Sequence, residues 1–378
     1  MLKFKKKPKT DLIIFLDDFT AEGCPILSLN LIDELKKKKI NSLVVRFHNK
    51  NNELLNEFNS RGIITKSMNL KRGFIRYLKI LFFTYSICLK YKPKSILSFP
   101  LGWHSFVAIG AKLAGVRTIC AHAGNPAPKL NNIEALKFFL LVNLGRFFTT
   151  KIICCSKYIR ETVIKRFFLF KKETTIIYNS YDEERFKINK KNNKLENGID
   201  QEISIGMVGR LELHKDQKTL VKAIGILKKK NYKTKLFLIG DGTQKIHLKM
   251  LVNKLKINKE VLFVGPNNNV EKILEKIDIF AFATTQDEGF GIALAEAMAK
   301  GIPIVASDVE ACREILCNGK CGLLVKPQSP KEFANGIEKI LINANDTNLR
   351  KRKAYEHALN NFTKLKMAKN YISQLRLN

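Results

Sequence analysis

The chain has 378 residues, 45% of them apolar, a length that predicts two domains and excludes a single small core. Its 67 lysines and arginines against 34 acidic residues give a formal net charge of +33, which favours polyanionic partners such as phosphorylated substrates, acidic lipid or nucleic acid. The first apolar run ends at Asp17 and Asp18, too early for a signal peptide or a membrane span, so we expect a cytoplasmic protein.

The eight cysteines show no paired C-x-x-C spacing, and most lie in apolar, strand-like runs. This pattern predicts free thiols in a reducing compartment. Cys312, Cys317 and Cys321 lie close together, but their gaps match no common zinc pattern and a fourth ligand is missing nearby. The sequence therefore predicts no metal site.

Short apolar runs alternate with longer amphipathic stretches along the whole chain, which is the pattern of strands and helices in doubly wound parallel sheets. Fully apolar strands indicate sheets covered by helices on both faces. The predicted strands are DLIIFLD, SLVVRF, GIITKS, SILSFP, TICAHA, KIICCS and TTIIYN in the first half, and ISIGMVG, KLFLIGD, VLFVG, IFAFAT, PIVASD and GLLVK in the second.

Residues 186–200, FKINKKNNKLENGID, are poor in apolar side chains and rich in Lys and Asn, so we predict a linker there. It separates an N-terminal domain, residues 1–185, from a C-terminal domain, residues 201–355, each with a Rossmann-like pattern. The closing segment lacks strand signals. We expect residues 356–378 to form a helix that packs back on the N-terminal domain.

The turn residues of the N-terminal half include two candidate site positions, because ligands of α/β sheets bind beyond the carboxyl ends of strands. Gly23 precedes a helix whose start is suited to a phosphate or an acceptor. His122 ends the strand TICAHA, and its imidazole is expected to project into the crevice. The alternative for His122 is a structural role.

One stretch of the N-terminal half, GFIRYLKILFFTYSICLKYK, is a predicted helix that is apolar on two sides. Together with ALKFFLLVNLGRFF and KRFFLFKK it suggests basic, aromatic-rich surfaces suited to anionic lipid, although ordinary buried helices explain them as well. The predicted core stripe is Phe74, Leu78, Phe82, Tyr85 and Leu89, and the predicted opposite side is Ile80, Phe83 and Ile87 with Arg76 and Lys90.

The first turn of the C-terminal half, in ISIGMVGRLELHKD, places two cations after a strand. Gly209 allows close approach of a ligand to the backbone, and Arg210 and Lys215 are suited to neutralising a diphosphate. A plain turn with solvated charges is the alternative. The turn in LFLIGDG lacks the full G-x-G-x-x-G spacing and is predicted to be a tight strand-to-helix turn.

The segment IFAFATTQDEGFGIALAEAMAK carries the main site prediction. Gly289, Phe290 and Gly291 form a loop directly before a helix that begins near Ile292, and free N–H groups at a helix start attract phosphate oxygens. Glu288 precedes this helix and Glu296 lies about two turns into it. Two carboxylates there are suited to accepting hydrogen bonds from sugar and ribose hydroxyls.

Taken in order, NSYDEERF, VGRL followed by KD, LIGDG, LFVG, DEGFGIALAEAMAKGIPIVASD and GLLV resemble the signature of glycosyltransferase family 4. The resemblance implies an α/β fold of the GT-B type, in which two Rossmann-like doubly wound domains face each other across a cleft and a C-terminal helix crosses back. It implies a retaining reaction in which the nucleotide-sugar is a co-substrate, with no metal or other cofactor.

The same resemblance implies roles for individual residues. Glu288 would hold hydroxyls of the donor sugar, Glu296 the ribose hydroxyls, and Phe290, Gly291 and Ile292 would offer backbone N–H groups. Arg210 and Lys215 match the diphosphate clamp, and His122 matches the histidine near the transferred sugar. Gly23 stands where members carry a Gly-Gly turn, with Glu22 in place of the first glycine.

These expectations describe a hexosyltransferase that moves a hexose or N-acetylhexosamine, with UDP-sugars favoured, to a saccharide or lipid-linked saccharide acceptor. Surface polysaccharide or lipopolysaccharide biosynthesis is the expected context, with the enzyme peripheral at the inner face of the cytoplasmic membrane. Two alternatives stay open: a basic nucleic-acid-binding protein, for which no recognition motif is present, and another GT-B-like enzyme such as a sugar-nucleotide epimerase.

Overall fold

The computed structural model describes residues 10–377 apart from 22, 50–51, 71–72, 74, 100, 189–200 and 268. The chain divides into two compact units, an N-terminal unit of residues 1–180 and 364–378 and a C-terminal unit of residues 181–363. Most of the predicted linker, from 189 to 200, lies outside the described residues, as does Glu22. None of the helices in the described part of the chain is long and apolar enough to cross a membrane.

The N-terminal unit is built on a parallel sheet. Its strands pair in the order β3-β2-β1-β4-β5-β6-β7, with buried, largely apolar strands in the middle and the exposed β3 at one edge. The strands are β1 Leu12–Leu16, β2 Ser42–Arg46, β3 Ile64–Ser67, β4 Ser95–Ser98, β5 Thr118–Ala123, β6 Lys151–Cys154 and β7 Thr174–Ile176. Every described pairing in this sheet is parallel, as expected for strands joined by helices.

Helices follow most of these strands and bury one face against the sheet. They are α1 Gly23–Lys37, α2 Leu55–Ser60, α3 Ile75–Tyr91, α4 His104–Leu113, α5 Ile133–Arg146, α6 Lys157–Phe167 and, from the end of the chain, α14 Lys364–Gln374. Helix α14 packs beside α1. Ser95 on β4 donates a hydrogen bond to the carbonyl of Leu375, which ties the end of the chain to this unit.

Helix α3 corrects the predicted orientation of its two apolar faces. Ile80 and Ile87, expected on the outer side, are buried, whereas Leu78, Phe82, Tyr85 and Leu89, four of the five predicted core residues, are exposed. The fifth, Phe74, lies outside the described residues. Phe82 is 63% exposed. Both sides of this helix are apolar. The spacing of its apolar residues therefore predicts a helix but does not predict which face packs on the sheet.

The C-terminal unit is built on a second parallel sheet, with the order β10-β9-β8-β11-β12-β13. Its strands are β8 Ile203–Val208, β9 Thr234–Ile239, β10 Val261–Gly265, β11 Ile279–Phe282, β12 Ile304–Ser307 and β13 Leu323–Val325. Its helices are α7 Gln217–Lys229, α8 Lys245–Lys254, α9 Val270–Leu274, α10 Ile292–Ala299, α11 Glu310–Ile315, α12 Pro330–Ile342 and α13 Ala344–Asn361. The strands coincide with the predicted runs, so the predicted α/β class with doubly wound parallel sheets is confirmed.

Candidate active site

The C-terminal unit has a topological switch point between β8 and β11. From these two neighbouring strands the sheet grows in opposite directions, through β9 and β10 on one side and through β12 and β13 on the other. Ligands of open α/β sheets bind outside the carboxyl ends of strands at such a point. The segments that follow are residues 209–216 after β8 and residues 283–291 after β11, and both carry predicted site residues.

The segment after β8 is shaped by close backbone packing. A β-carbon added to Gly240 would lie 2.2 Å from the carbonyl oxygen of Gly209, and one added to Gly242 would lie 2.5 Å from that of Leu211. Gly240 also has a φ of 138°, which L side chains rarely adopt. The glycines of LIGDG therefore support the segment that carries Arg210, a structural role consistent with the predicted tight turn.

The two segments are joined by hydrogen bonds to one carbonyl. The backbone N–H of Thr285 and the hydroxyl of Thr284 both donate to the carbonyl oxygen of His214, each at 2.9 Å. The hydroxyl of Ser307 on β12 accepts from the N–H of Thr284 at 2.9 Å. These bonds fix the position of Lys215, the next residue after His214, relative to the loop that carries Glu288.

Lys215 and Glu288 form a buried ion pair. The Lys215 Nζ lies 2.5 Å from Oε2 of Glu288, and the two side chains are 16% and 8% exposed. Burial alone would raise the pKa of the Glu288 carboxyl, but the Lys215 cation, with His214 and the N–H of Phe290, holds that pKa below its ordinary value. Glu288 is therefore ionised at neutral pH and its charge is compensated inside the protein.

The backbone around Glu288 is turned toward its own carboxylate. The N–H of Gly289 donates to Oε1 of Glu288 at 3.2 Å, and the N–H of Phe290 also hydrogen-bonds this carboxylate. Gly291 adopts a left-handed conformation, φ 81°, directly before α10 begins at Ile292. The predicted donor Phe290 thus serves the Glu288 carboxylate in this structure, and its ring packs edge-on against Phe362 at 5.3 Å.

Glu296 lies in a different electrostatic environment. It is half-buried in α10, and burial raises the pKa of its carboxyl to about 7, an effect that Arg185 opposes and that Glu271 and Asp182 reinforce. Arg185 itself is paired with Glu271 at 2.6 Å. The sequence motif NSYDEERF gives no local signal that Asp182 and Arg185 act on the Glu296 carboxyl, because 111 residues separate Arg185 from Glu296 along the chain.

Arg210 is exposed at the edge of this group of charges. Its carbonyl oxygen accepts a hydrogen bond of 2.7 Å from the side chain of Gln217 at the start of α7, which fixes the local backbone. The pKa of His214 is lowered by burial and by the Lys215 and Arg210 cations, so this imidazole is neutral near pH 7. The turn therefore presents cationic charge from Arg210 and Lys215, close to the carboxylates of Glu288 and Glu212.

His122 and Gly23 lie in the N-terminal unit. Gly23 is the first residue of α1, which follows β1 at the carboxyl edge of that sheet. His122 is 1% exposed, which corrects the expectation that its ring projects from the strand end. Its ring packs against Phe99 at 4.9 Å, and its Nδ1 lies 2.9 Å from the hydroxyl of Tyr371 on α14.

The second imidazole nitrogen of His122, Nε2, is buried and has no hydrogen-bond partner among the described residues. Burial lowers the pKa of His122 to about 4, so the ring is neutral at physiological pH. A neutral imidazole with one bonded and one unpaired nitrogen is suited to a single hydrogen bond with a ligand. Sequence analysis missed Tyr371, because a tyrosine 249 residues away carries no local signal.

Residues 189–357 match the family described as glycosyl transferases group 1. The chain is 29% identical over 280 residues to N-acetylgalactosamine-N,N'-diacetylbacillosaminyl-diphospho-undecaprenol 4-alpha-N-acetylgalactosaminyltransferase of Campylobacter jejuni, covering 72% of this chain and 73% of that one. It is 27% identical over 243 residues to the capsular polysaccharide biosynthesis glycosyltransferase CapM of Staphylococcus aureus, covering 59% and 60%.

The fold is similar to that of solved glycosyltransferases. The crystal structure of Anabaena HepE in complex with UDP and glucose superposes with a TM-score of 0.83 at 18% identity, covering 97% of this chain and 99% of that one. Sucrose-phosphate synthase of Thermosynechococcus elongatus gives 0.78 at 17% identity, covering 98% and 99%. The match over residues 189–357 and the relatives that share it place the chain in the superfamily of group 1 glycosyl transferases, and its fold is of the GT-B type.

Proposed function

We propose that this chain is a retaining family 4 enzyme that transfers a hexose or N-acetylhexosamine from a UDP-sugar to a lipid-linked saccharide acceptor in surface polysaccharide synthesis. The Campylobacter relative acts, by its name, on a diphospho-undecaprenol-linked saccharide, and CapM belongs to capsule synthesis. HepE was crystallised with UDP and glucose. These names support the class of donor and acceptor.

The observation that carries the proposal is the buried pair of Lys215 and Glu288 at the switch point. Glu288 is ionised, and N–H groups of its own loop occupy only part of its capacity to accept hydrogen bonds, so the rest can accept bonds from sugar hydroxyls. The Lys215 cation balances its charge, and the carboxylate therefore does not repel an approaching diphosphate. Arg210 and Lys215 together offer two positive charges at this turn. These charges stabilise the diphosphate that accumulates negative charge as the sugar leaves, without a metal ion.

Retention follows in this proposal from attack by the acceptor on the face from which the nucleoside diphosphate departs. The N-terminal unit supplies His122 as a neutral hydrogen-bond donor to a substrate oxygen. If the Tyr371 hydroxyl donates to Nδ1, the imidazole proton must lie on Nε2, which is the unpartnered nitrogen. Because the His122 ring is neutral, it contributes a directed hydrogen bond and no charge. The charge of the diphosphate is then balanced by Arg210 and Lys215.

An anionic membrane surface is the proposed location of the acceptor. Helix α5 exposes Ile133, Leu136, Leu140 and Leu144 at helical spacing, and Phe147, directly after the helix, is 82% exposed. The exposed face of α3 carries a similar stripe, and Lys137 of α5 lies 5.3 Å from the ring of Tyr77 of α3. Exposed apolar stripes beside lysines are typical of surfaces that rest on acidic lipid.

Donor binding is tested by thermal shift against UDP-, GDP- and ADP-sugars, because a ligand that binds the folded state raises the melting temperature. A UDP-sugar should stabilise the wild-type protein most. Glu288→Ala should abolish transfer and weaken donor binding, and Arg210→Ala should lower the turnover rate through the leaving group. Arg352→Ala, at a side chain 79% exposed on α13, is the matched control and should behave as wild type.

Normal turnover in Glu288→Ala would refute the site assignment, and unchanged kinetics in Arg210→Ala would refute the diphosphate clamp. Product analysis separates the alternatives, since an epimerase would return isomerised donor without transfer to an acceptor. Nuclear magnetic resonance of the product anomer tests retention directly.

Membrane binding is tested by flotation with vesicles containing anionic lipid. Replacing Phe82 and Leu140 by serine should reduce flotation, whereas replacing Ile246 and Met250 of α8, which are 67% and 63% exposed, should not. Equal flotation of both double variants would refute the stripes of α3 and α5 as the lipid surface. Retention on nucleic acid at raised salt would instead favour the nucleic-acid alternative.

A further inference from the structure

The N-terminal unit has a topological switch point of its own. Strands β1 and β4 are neighbours, and from them the sheet grows through β2 and β3 on one side and through β5, β6 and β7 on the other. Ligands of open α/β sheets bind beyond the carboxyl ends of the strands at such a point. Trp103 lies at this edge, because it directly precedes α4, the helix that follows β4. A ligand is therefore expected in the neighbourhood of Trp103.

Aromatic side chains at this edge hold one arginine in place. The Arg76 guanidinium lies 4.7 Å from the ring centroid of Trp103 and 5.1 Å from that of Tyr77. Its Nη2 donates a hydrogen bond of 3.2 Å to the Tyr77 hydroxyl. Trp103 in turn packs against Tyr77 at 5.6 Å and against Phe47 at 6.1 Å. Because a stacked guanidinium loses little further freedom when it binds a ligand, Arg76 is pre-organised.

A second cation lies on the same tyrosine. The Nζ of Lys137, on α5, is 5.3 Å from the ring centroid of Tyr77. Burial acts to raise the pKa of the Tyr77 hydroxyl, but the Arg76 and Lys137 cations together hold that pKa below its ordinary value. Two positive charges, from two different helices, therefore meet at one aromatic side chain.

The charge of these two cations is not balanced within the described part of the chain. Neither Arg76 nor Lys137 forms an ion pair with a described carboxylate, and Asp17, which follows β1, is already paired with His48 at 2.9 Å. The Nε of Arg76 also lacks an acceptor among the described residues. Unpaired positive charge and unused N–H donors are what a phosphate group binds.

Apolar surface continues from both cations. On α3, Ile75 and Leu78 lie on either side of Arg76 in the sequence and are 67% and 48% exposed. On α5, Leu136 precedes Lys137 and is 50% exposed. An anion held by the two cations would therefore lie beside surface suited to a hydrocarbon chain. This combination fits an amphiphile that joins a phosphate head to a lipid.

We propose that Arg76 and Lys137 bind the diphosphate of a lipid-linked saccharide acceptor, with its lipid on the exposed stripes of α3 and α5. The inference rests on the proposed function, because it takes the acceptor to be lipid-linked. A diphosphate diester carries one negative charge on each phosphate, so the two cations match its charge. The planar guanidinium is suited to paired hydrogen bonds with one phosphate, and the ammonium supplies a point charge to the other.

The binding is tested on the full-length protein with farnesyl diphosphate, a soluble probe that joins the same anion to a short lipid. In calorimetric titration, the double variant Arg76→Gln and Lys137→Gln should bind it at least about tenfold more weakly than the wild type, because two charge-assisted contacts are lost. Lys90→Gln is the matched control on α3, since Lys90 also lies on an aromatic ring, 5.5 Å from the Tyr91 centroid, and should bind as the wild type does. No binding by the wild type, or equal affinity in the double variant, would overturn the proposal.

Two further probes identify the source of the anion. Inorganic diphosphate lacks the hydrocarbon chain and should bind the wild type at least about tenfold more weakly than farnesyl diphosphate. Dihexanoyl phosphatidylglycerol carries a single phosphate and should also bind at least about tenfold more weakly. Equal binding of the first would assign the site to a free anion, and equal binding of the second to a bulk lipid headgroup. Either result would overturn the assignment to the acceptor.

Donor binding and transfer separate this inference from the proposed function. The thermal shift caused by the UDP-sugar should be the same in the double variant as in the wild type, because the predicted donor residues lie in the C-terminal unit. If the double variant does not fold, Lys137→Gln alone should weaken farnesyl diphosphate binding by at least about threefold, and unchanged affinity would overturn the proposal.

Transfer kinetics complete the test. The double variant should show a raised KM for the lipid-linked saccharide, with the KM for the UDP-sugar unchanged. An unchanged acceptor KM would refute this site and leave the proposed function intact. Binding of farnesyl diphosphate as predicted, without any transfer to a lipid-linked saccharide, would support the diphosphate site and refute the proposed function.

Discussion

The ion pair between Lys215 and Glu288 makes a prediction that depends on burial and charge alone. Lys215→Met keeps most of the side-chain stem but removes the cation that lies 2.5 Å from the Glu288 carboxylate. The remaining carboxylate keeps its bonds from the Gly289 and Phe290 backbone but loses its counter-charge. The C-terminal unit should therefore become less stable, with no change in its fold.

The expected cost follows from leaving one charge of a buried pair uncompensated, which typically destabilises a protein by about 3–5 kcal/mol. That figure is an upper bound here, because the Glu288 carboxyl escapes part of the cost by taking up a proton. At about pH 8 we expect Lys215→Met to lose about 3 kcal/mol, more than twice the loss at about pH 4.5.

The pH dependence has a definite sign. In the wild type the folded pKa of Glu288 is below its unfolded value, so this group stabilises the fold above the unfolded pKa and the contribution is lost as pH falls. Without Lys215, burial raises the folded pKa above the unfolded value. The variant then loses stability as pH rises between those two values, so the gap to the wild type widens from acid to neutral pH.

The measurement is urea unfolding followed by circular dichroism across this pH range. Lys230→Met breaks a partly exposed pair with Glu338 at 2.8 Å and is the matched control, with an expected cost of about 0–1 kcal/mol. Adding Glu288→Gln to Lys215→Met should recover much of the loss. A loss independent of pH, or no larger than that of the control, would refute the assigned burial and charge state.

Three further predictions concern the surroundings of the site. Gly240→Ala should destabilise the C-terminal unit by more than about 2 kcal/mol in urea unfolding, whereas Gly225→Ala in α7, where an added carbon meets only an ordinary contact, should stabilise it by about 0.5–1 kcal/mol. The pKa of Glu296 in the folded state is raised to about 7, so the stability of the wild type falls as the pH rises from about 4.5 to 7. Glu296→Gln should remove that fall and stabilise the protein by roughly 1–2 kcal/mol at pH 8. Tyr371→Phe should shift the nitrogen resonances of His122 from one tautomer toward a mixture, and unchanged resonances would contradict the assigned hydrogen bond.

Most strands could be predicted because they are short, largely apolar runs bounded by glycine or polar residues, as in Leu12–Leu16 and Ile279–Phe282. Parallel pairing followed from the helices between them. The buried face of α3 could not be predicted, because apolar residues recur at helical spacing on both of its faces. The face of Ile80 and the face of Phe82 therefore look equally suited to packing on the sheet. That choice depends on packing partners from distant parts of the chain.

The candidate site was predictable where function requires a local motif. Two glycines between a carboxylate and a helix start pointed to Glu288, and a cation five residues after Arg210 pointed to Lys215. Their direct contact was not predictable, since 73 residues separate them and the switch point that joins them is a property of the sheet order. The environment of Glu296 could not be predicted either, because Asp182 and Arg185, which act on its carboxyl, are also distant in the sequence.

The end of the chain illustrates how a long-range partner changes the chemistry of a residue. Phe362, at the end of α13, packs against Phe290 in the loop of the C-terminal unit, and Tyr371 on α14 bonds His122 in the N-terminal unit. The same short stretch of chain thus contributes one contact to each predicted substrate-binding segment. A buried imidazole without Tyr371 would be free to carry its proton on either nitrogen. A Tyr371 hydroxyl that donates to Nδ1 places the proton on Nε2, the buried nitrogen without a hydrogen-bond partner among the described residues, so the helix expected only to pack against the N-terminal unit also bears on the hydrogen-bonding state of His122.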